Sequence, residues 1–185
     1  MAPMYNRSAN PRPTKRMRRS YPLQRSYKPE SKYFNNTIAK SGVVADSVNT
    51  TAIGAGSSSE ERVGRKICLK SVEYLFSTAG TTAGSPVRMI LYVPKQSNQT
   101  LSLTSFADAI DNNQFWVISD RQFNGTIDNI THIHMYRHRF PMGLNVEYDG
   151  ATSGDVVKNP VRLLIQTNDT TTDVSGHTKV WFTDN

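Results

Sequence analysis

The stretch KICLKSVEYLF, residues 66–76, decides the fold class, because it is a run of aliphatic, β-branched and aromatic residues bounded by turn-rich segments. Such a run predicts a β-strand. Alternation would place Ile67, Leu69, Ser71, Glu73 and Leu75 on one face and Cys68, Lys70, Val72, Tyr74 and Phe76 on the other. Neither face is purely polar, so we expect a partner sheet and neighbouring subunits to bury the strand on both sides.

Similar runs recur along the chain from about residue 42 onward. The predicted strands cover residues 42–53, 66–77, 87–94, 114–123, 129–140, 144–149, 161–168 and 177–183. Turn-rich segments such as GAGSSSEERVG, TAGTTAGSP and NDTTTDVSG separate some of them. One short helix is predicted at LTSFADAID, where Thr104 or Ser105 could cap the start and Phe106 and Ile110 fall one turn apart.

Eight antiparallel strands without alternating helices predict an all-β sandwich, of either the immunoglobulin or the jelly-roll type. The chain has a single cysteine, Cys68, so the Cys…Trp…Cys signature of the immunoglobulin fold is absent. The jelly roll is therefore favoured. One cysteine also excludes an internal disulfide framework and fits a reducing compartment.

Positive charge is concentrated at the N-terminus. The chain has 22 Lys+Arg and 15 Asp+Glu, a net charge of +7. Residues 1–40 have ten basic side chains against the single acid Glu30, a net of +9, whereas residues 41–185 have 12 basic against 14 acidic, a net of −2. We therefore divide the chain into a basic arm, residues 1–40, and a folded β domain, residues 41–185.

The arm is expected to be disordered in isolation, because it is rich in proline and too poor in aliphatic residues to offset its chain entropy. The chain has neither the apolar core of a secretory signal nor an apolar run long enough to span a membrane. A soluble protein that is made without export is expected.

A flexible cationic arm suits a polyanion whose sequence need not be read, because each Lys or Arg that neutralises a phosphate releases counterions. The candidate nucleic-acid-binding residues are Arg7, Arg12, Lys15, Arg16, Arg18, Arg19, Arg25, Lys28 and Lys32. Bases of a single strand could stack on Tyr21, Tyr27, Tyr33 and Phe34, or these rings could anchor the end of the arm to the body. The segment KRMRR, with Lys15, Arg16, Arg18 and Arg19, also has the composition of a nuclear localisation signal.

The stretch THIHMYRHRFPMG offers candidate metal ligands, because His132, His134 and His138 would share one face of a strand. A cupin-like metal site would need a carboxylate shortly after these histidines and another histidine on a later strand, but Glu147 lies beyond the Pro141–Gly143 break and His177 lies in a turn-rich region near the C-terminus. The sequence therefore favours solvated or interface histidines beside Arg137 and Arg139. Acidic clusters in SDRQFNGTIDN and NDTTTD could offer oxygens to Ca²⁺ at a subunit contact, although turn chemistry explains them more simply. No enzyme activity, catalytic residue, cofactor or metal site is predicted.

The order of parts carries a family resemblance. A basic arm is followed by RVGRKICLKSVEYLF, VRMILYVPKQSNQ, FWVISDRQF, LNVEYDGATSGDVVKNPVRLLIQTND and a terminal KVWFTDN. In this order the chain resembles the single jelly-roll capsid proteins of small circular Rep-encoding single-stranded DNA (CRESS-DNA) viruses. In YDGAT and FTDN it is also similar to the coat proteins of satellite RNA viruses of plants.

The resemblance implies two four-stranded sheets with strand orders B-I-D-G and C-H-E-F. It also implies a T=1 icosahedral shell of about 60 identical copies that packages a single-stranded genome, DNA rather than RNA. The expected locations are the virion and the host nucleus, and the expected partners are other copies of the chain, the viral genome and a nuclear import receptor. The alternatives are a satellite RNA virus coat protein, a non-capsid single-stranded nucleic-acid-binding β-sandwich and, more remotely, a carbohydrate-binding β-sandwich.

Overall fold

The computed structural model describes residues 30–40, 46–79, 85–123 and 132–184. The described residues form nine β-strands: β1 (Ser31–Lys40), β2 (Asp46–Asn49), β3 (Lys66–Ala79), β4 (Val87–Pro94), β5 (Phe115–Phe123), β6 (His132–Tyr148), β7 (Val156–Lys158), β8 (Arg162–Thr167) and β9 (Asp173–Asp184). This part of the chain contains no helix that could span a bilayer.

The strands form two antiparallel sheets with a jelly-roll connectivity. One sheet has the order β1-β9-β3-β6-β7 and the other has the order β2-β8-β4-β5. If β1 to β6 are named B to G and β8 and β9 are named H and I, these orders become B-I-D-G and C-H-E-F, with β7 added beside G. The predicted all-β jelly-roll sandwich is therefore confirmed, and β7 is an addition to it.

The first strand lies where the sequence predicted an arm. β1 pairs with β9 over ten consecutive residues, from Ser31 opposite Thr183 to Lys40 opposite Val174. Phe34 and Ile38 point to the core side, and Ile38 is buried. Because this pairing supplies backbone partners that an isolated segment lacks, residues 31–40 are part of the β fold rather than of a separate arm. Residues 1–29 lie outside the described residues.

Strand β3 does not alternate as predicted, because a β-bulge lies between Leu69 and Ser71. Ile67 and Leu69 point into the core before the bulge, and Val72, Tyr74 and Phe76 point into it afterwards. The two predicted faces were therefore wrong beyond Leu69, since one extra residue in a strand exchanges the faces of all the residues that follow.

The described parts of two predicted strands, residues 129–140 and 144–149, belong to one strand in the structure, β6, and residues 129–131 lie outside the described residues. β6 pairs with β3 on both sides of an irregularity in which Arg139 lies opposite Ser71 and Leu144 lies opposite Leu69. The predicted Pro141–Gly143 break is this bulge, and Gly143 has a φ of 77° there. A side chain at Gly143 would collide with the Cys68 sulfur, since an added Cβ would lie 2.2 Å from Sγ.

The core lies between the two sheets, and a second apolar cluster covers the outer face of the four-stranded sheet. In that cluster Leu101, Leu103 and Phe115 pack against Ile90, Tyr92 and Leu164. The segment that brings Leu101 and Leu103 there contains turns, and the helix predicted at residues 103–111 is absent. The Asp108 carboxylate explains the difference, because it accepts hydrogen bonds from the backbone amides of Thr104 and Ser105 and closes a turn.

Candidate nucleic-acid interface

The outer face of the five-stranded sheet carries cations and aromatic rings in register. One row across β1, β9, β3 and β6 contains Tyr33, Trp181, Ser71 and Arg139. The next row contains Asn35, Lys179, Glu73 and Arg137. We call Tyr33, Glu73, Arg137, Arg139, Lys179 and Trp181 the basic–aromatic face. Core residues such as Val72 and Val180 occupy the alternate positions and point the other way.

The aromatic rings of this face are in contact with its cations. The Tyr33 and Trp181 ring centroids are 5.6 Å apart, with an angle of 52° between the planes. The Lys179 ammonium lies 4.3 Å from the Tyr33 ring centroid and 4.6 Å from that of Trp181. The Arg137 guanidinium lies 6.0 Å from the Trp181 ring. These cation–π contacts hold both rings while leaving them partly exposed.

The face has a surplus of positive charge. Glu73 is its single acid, and a Glu73 carboxylate oxygen lies 3.8 Å from a guanidinium nitrogen of Arg137. Within the described ranges, Arg139 and Lys179 make no ion pair with a carboxylate. Arg139 is exposed and Lys179 is half-buried. Three cations therefore face one acid, and two of the three can contact a phosphate without breaking a salt bridge.

An apolar strip extends the same face towards the start of β6. It consists of Leu75, Met135 and Ile133, and Leu75 lies directly opposite Met135. Met135 and Ile133 are 71% and 74% exposed, which is unusual for large apolar side chains in a folded domain. The strip and the basic–aromatic face form one surface with two chemical zones.

Of the nine predicted nucleic-acid-binding cations, Lys32 alone belongs to the part of the chain that the structure describes. Its side chain is buried, its ammonium lies 2.9 Å from an Asp184 carboxylate oxygen, and it donates a 3.1 Å hydrogen bond to the Glu61 carbonyl. Lys32 is thus occupied in fixing β1 to the body. The other eight precede residue 30 and lie outside the described residues. They include the four cations of the predicted localisation signal, Lys15, Arg16, Arg18 and Arg19.

Tyr33 and Phe34, which were predicted either to stack on bases or to anchor the arm, have different environments. Phe34 packs against the core and anchors β1. Tyr33 points outward to Trp181. Sequence reasoning noted Arg137 and Arg139 but missed Lys179 and Trp181. The alternation of KVWF, with Val180 and Phe182 pointing inward, could have identified this outward pair.

Two histidines of β6, His134 and His138, pack against aromatic rings. The His134 and Phe76 ring centroids are 5.0 Å apart and stacked, and His138 lies edge-on to Phe140 at 4.8 Å. Both imidazoles lie on the strand face opposite to Arg137 and Arg139, as the predicted alternation requires. Burial lowers the pKa of His138. Among the described residues no group of three or more acidic, His or Cys side chains could hold a metal ion.

Two of the acidic residues considered as calcium ligands, Asp120 and Asp169, have protein partners, and Asp128 lies outside the described residues. The Asp120 carboxylate receives two hydrogen bonds from Arg88, at 3.0 and 2.6 Å. The Asp169 carboxylate accepts hydrogen bonds from Thr171 and Thr172. Burial opposes the charge of Asp169, but these bonds and one from Ser85 outweigh it and lower its pKa to about 2. Turn and ion-pair chemistry thus accounts for both carboxylates.

Comparison with known proteins gives structural likenesses only. No family model and no curated protein sequence matches the chain. A solved structure of desmodium yellow mottle tymovirus is 13% identical, with a TM-score of 0.34, over 98% of this chain and 94% of that chain. A 60-mer BFDV capsid protein is 8% identical, with a TM-score of 0.38, over 84% of this chain and 92% of that chain. Both are viral, and the jelly-roll assignment itself rests on the strand order.

Proposed function

We propose that this chain is a viral capsid protein that assembles into a T=1 shell of about 60 copies and packages a single-stranded DNA genome. The observation that carries the proposal is the B-I-D-G and C-H-E-F strand order together with a basic segment directly before strand B. The role is structural rather than catalytic. The sequence resemblance to CRESS-DNA virus capsid proteins supports the choice of a DNA genome.

The charge of the arm fits packaging. Residues 1–29 contain eight cations and no acid: Arg7, Arg12, Lys15, Arg16, Arg18, Arg19, Arg25 and Lys28. About 60 copies would bring roughly 500 positive charges to one compartment, which would neutralise many phosphates of a small genome. Four of these cations, in KRMRR, are also proposed to bind a nuclear import receptor.

Electron microscopy of the purified full-length protein tests the proposal. We expect small, uniform particles, and we expect nucleic acid extracted from them to be degraded by DNase and to resist RNase. RNA in otherwise uniform particles would favour a satellite RNA virus coat protein. A monodisperse monomer by sedimentation at every salt concentration, including low salt with added DNA, would overturn the capsid proposal.

A second candidate is a single-stranded nucleic-acid-binding β-sandwich that does not assemble. The basic–aromatic face favours it, because a binding module is expected to present cations and aromatic rings on its folded surface. The jelly-roll order and the separate basic arm favour the capsid. The same microscopy separates them, since a binding module would bind oligonucleotides without forming shells.

A further inference from the structure

We propose that the basic–aromatic face is a second nucleic-acid site, on the folded domain, which binds single strands by stacking bases on Trp181 and Tyr33 and contacting phosphates through Lys179 and Arg139. This inference rests on the proposed packaging function for its biological role, but the binding itself can be tested without assembly. The arm then supplies non-specific charge, and the face supplies a preference for unpaired bases.

The electrostatics of the face suit a phosphate backbone. Arg139 and Lys179 lack carboxylate partners within the described ranges, and the one acid, Glu73, lies next to Arg137. A phosphate that approaches these two cations, which have no carboxylate partner, therefore displaces counterions rather than an internal salt bridge. The remainder of the folded domain is net negative, so this local surplus is a property of the face and not of the whole surface.

The geometry of the rings suits bases rather than a duplex. Trp181 and Tyr33 are held by Lys179 at 4.6 and 4.3 Å, and both remain partly exposed. A base can stack on these rings only if its own π-face is free. The bases of a single strand have free faces, whereas the bases of a duplex are stacked on one another. The apolar strip of Leu75, Met135 and Ile133 continues the surface, so that the span from Arg139 to Ile133 on β6 is about 20 Å. Several nucleotides can lie along it.

The connection to the arm favours this occupant over a second copy of the chain. Residues 1–29 precede β1, which carries Tyr33. A single-stranded nucleic acid bound by the arm would therefore have a high local concentration at the basic–aromatic face. A second copy packed face to face would instead bring Arg139 and Lys179 against their own counterparts, and like charges oppose such a contact.

Tryptophan fluorescence tests the site in the full chain, because the protein has two tryptophans on different sheets. Trp116 lies on β5 and is 51% exposed, so Trp116→Phe leaves Trp181 as the reporter, and Trp181→Phe leaves Trp116 as the matched control. A fluorescein-labelled oligothymidine is titrated below the concentration at which particles form, with its anisotropy measured in parallel. We expect binding to quench Trp181 and not Trp116.

The salt dependence gives a second readout that does not depend on tryptophan. The double variant Arg139→Gln, Lys179→Gln should reduce the magnitude of the negative slope of log affinity against log salt by about 1.4. The reason is that each of two lost single-strand phosphate contacts contributes about 0.7. The exposed Lys95 lies at the end of β4 in the other sheet, so Lys95→Gln removes a charge away from the face and should leave the slope unchanged.

The outcomes separate this inference from the proposed function. Binding that is detected by anisotropy, but with neither quenching of Trp181 nor a change in the salt slope of the Arg139→Gln, Lys179→Gln variant, would overturn the site. This result would leave the proposal of shell assembly intact. Trp181 quenching that depends on protein concentration without oligonucleotide would show that a second copy covers the face, and would also overturn it. Quenching by oligonucleotide in a protein that never forms shells would support the site and remove the capsid proposal.

Discussion

At the scale of single residues, a buried arginine closes one end of the sandwich. Arg62, in the segment between β2 and β3, is 1% exposed and has no carboxylate partner within the described ranges. Its guanidinium donates to the carbonyls of Ile53 at 3.0 Å, Gly150 at 2.6 Å and Gly64, and it lies 3.8 Å from the Tyr148 ring centroid. One side chain thus holds two loops to the end of β6.

Replacing Arg62 should therefore destabilise the fold. Arg62→Met keeps much of the side-chain length but leaves three carbonyls without their charged donor, so we expect the free energy of unfolding to fall by about 3 kcal/mol or more. Urea unfolding measures the change. Arg65→Met is the matched control, because Arg65 is exposed, and equal losses in the two variants would contradict this role for Arg62.

His138 should make stability depend on pH near neutrality. Burial lowers its pKa, so the unfolded chain binds the proton more readily than the folded chain. The contribution of His138 is present above about pH 6.5 and is lost as the pH falls from there through its folded pKa. We expect His138→Gln to flatten the change in urea midpoint between about pH 7.5 and pH 5.5.

A wild-type and a His138→Gln protein that lose stability in parallel over this interval would contradict the prediction. The Asp169 carboxylate does not interfere, because its pKa of about 2 lies far below the interval. Its contribution is present above about pH 4 and is lost as the pH falls towards its folded pKa.

At the scale of elements, β1 is both the edge of the five-stranded sheet and the link to the basic arm. Its ten residues pair with β9, and the Lys32–Asp184 ion pair joins the start of β1 to the end of β9. A deletion that ends at residue 32 would remove this ion pair. A truncation that removes the basic residues and keeps this ion pair therefore has to end at residue 29 or 30.

Two truncations should separate packaging from folding. Deleting residues 1–29 removes eight cations and no described strand, so we expect a folded protein whose particles contain much less nucleic acid. Deleting residues 1–40 also removes β1 and exposes Phe182 and Val180, so we expect loss of cooperative unfolding. Circular dichroism and the 260/280 nm absorbance ratio measure these effects.

Unchanged nucleic-acid content after deletion of residues 1–29 would contradict the packaging role of the arm and would assign packaging to the basic–aromatic face. A stable, cooperative fold after deletion of residues 1–40 would mean that β1 contributes little to the sandwich.

At the scale of the whole molecule, the two outer faces of the sandwich differ. The loop with Leu101 and Leu103 covers the four-stranded sheet and is held there by Arg88, whose guanidinium donates to the carbonyls of Phe106 and Asp108 at 2.7 and 2.9 Å. The five-stranded sheet presents the basic–aromatic face. If the chain forms the proposed shell, we expect the five-stranded sheet, whose first strand follows the basic residues 1–29 in the sequence, to line the interior.

Under the proposed function, the basic residues 1–29 would also bind a nuclear import receptor. A fluorescent protein too large to diffuse through the nuclear pore, fused to residues 1–29, should accumulate in nuclei. Alanine at Lys15, Arg16, Arg18 and Arg19 should abolish the accumulation, because the receptor is expected to bind these cations through acidic grooves. Cytoplasmic signal from the unmutated fusion would remove the import claim and favour the RNA-satellite alternative.

Much of the fold could be predicted from the sequence because its strands are short apolar runs between turn residues, and β4, Val87–Pro94, has the predicted limits. Local pattern also showed that the basic residues concentrate near the N-terminus, but it assigned residues 31–40 to the arm. Tertiary structure decided what depends on partners distant in the chain. β1 forms because β9 supplies its hydrogen bonds, and the β3 bulge exchanges faces because β6 and β9 fix the register. Trp181 and Arg139 become neighbours of Tyr33 only through that register, and periodicity within one strand does not encode it.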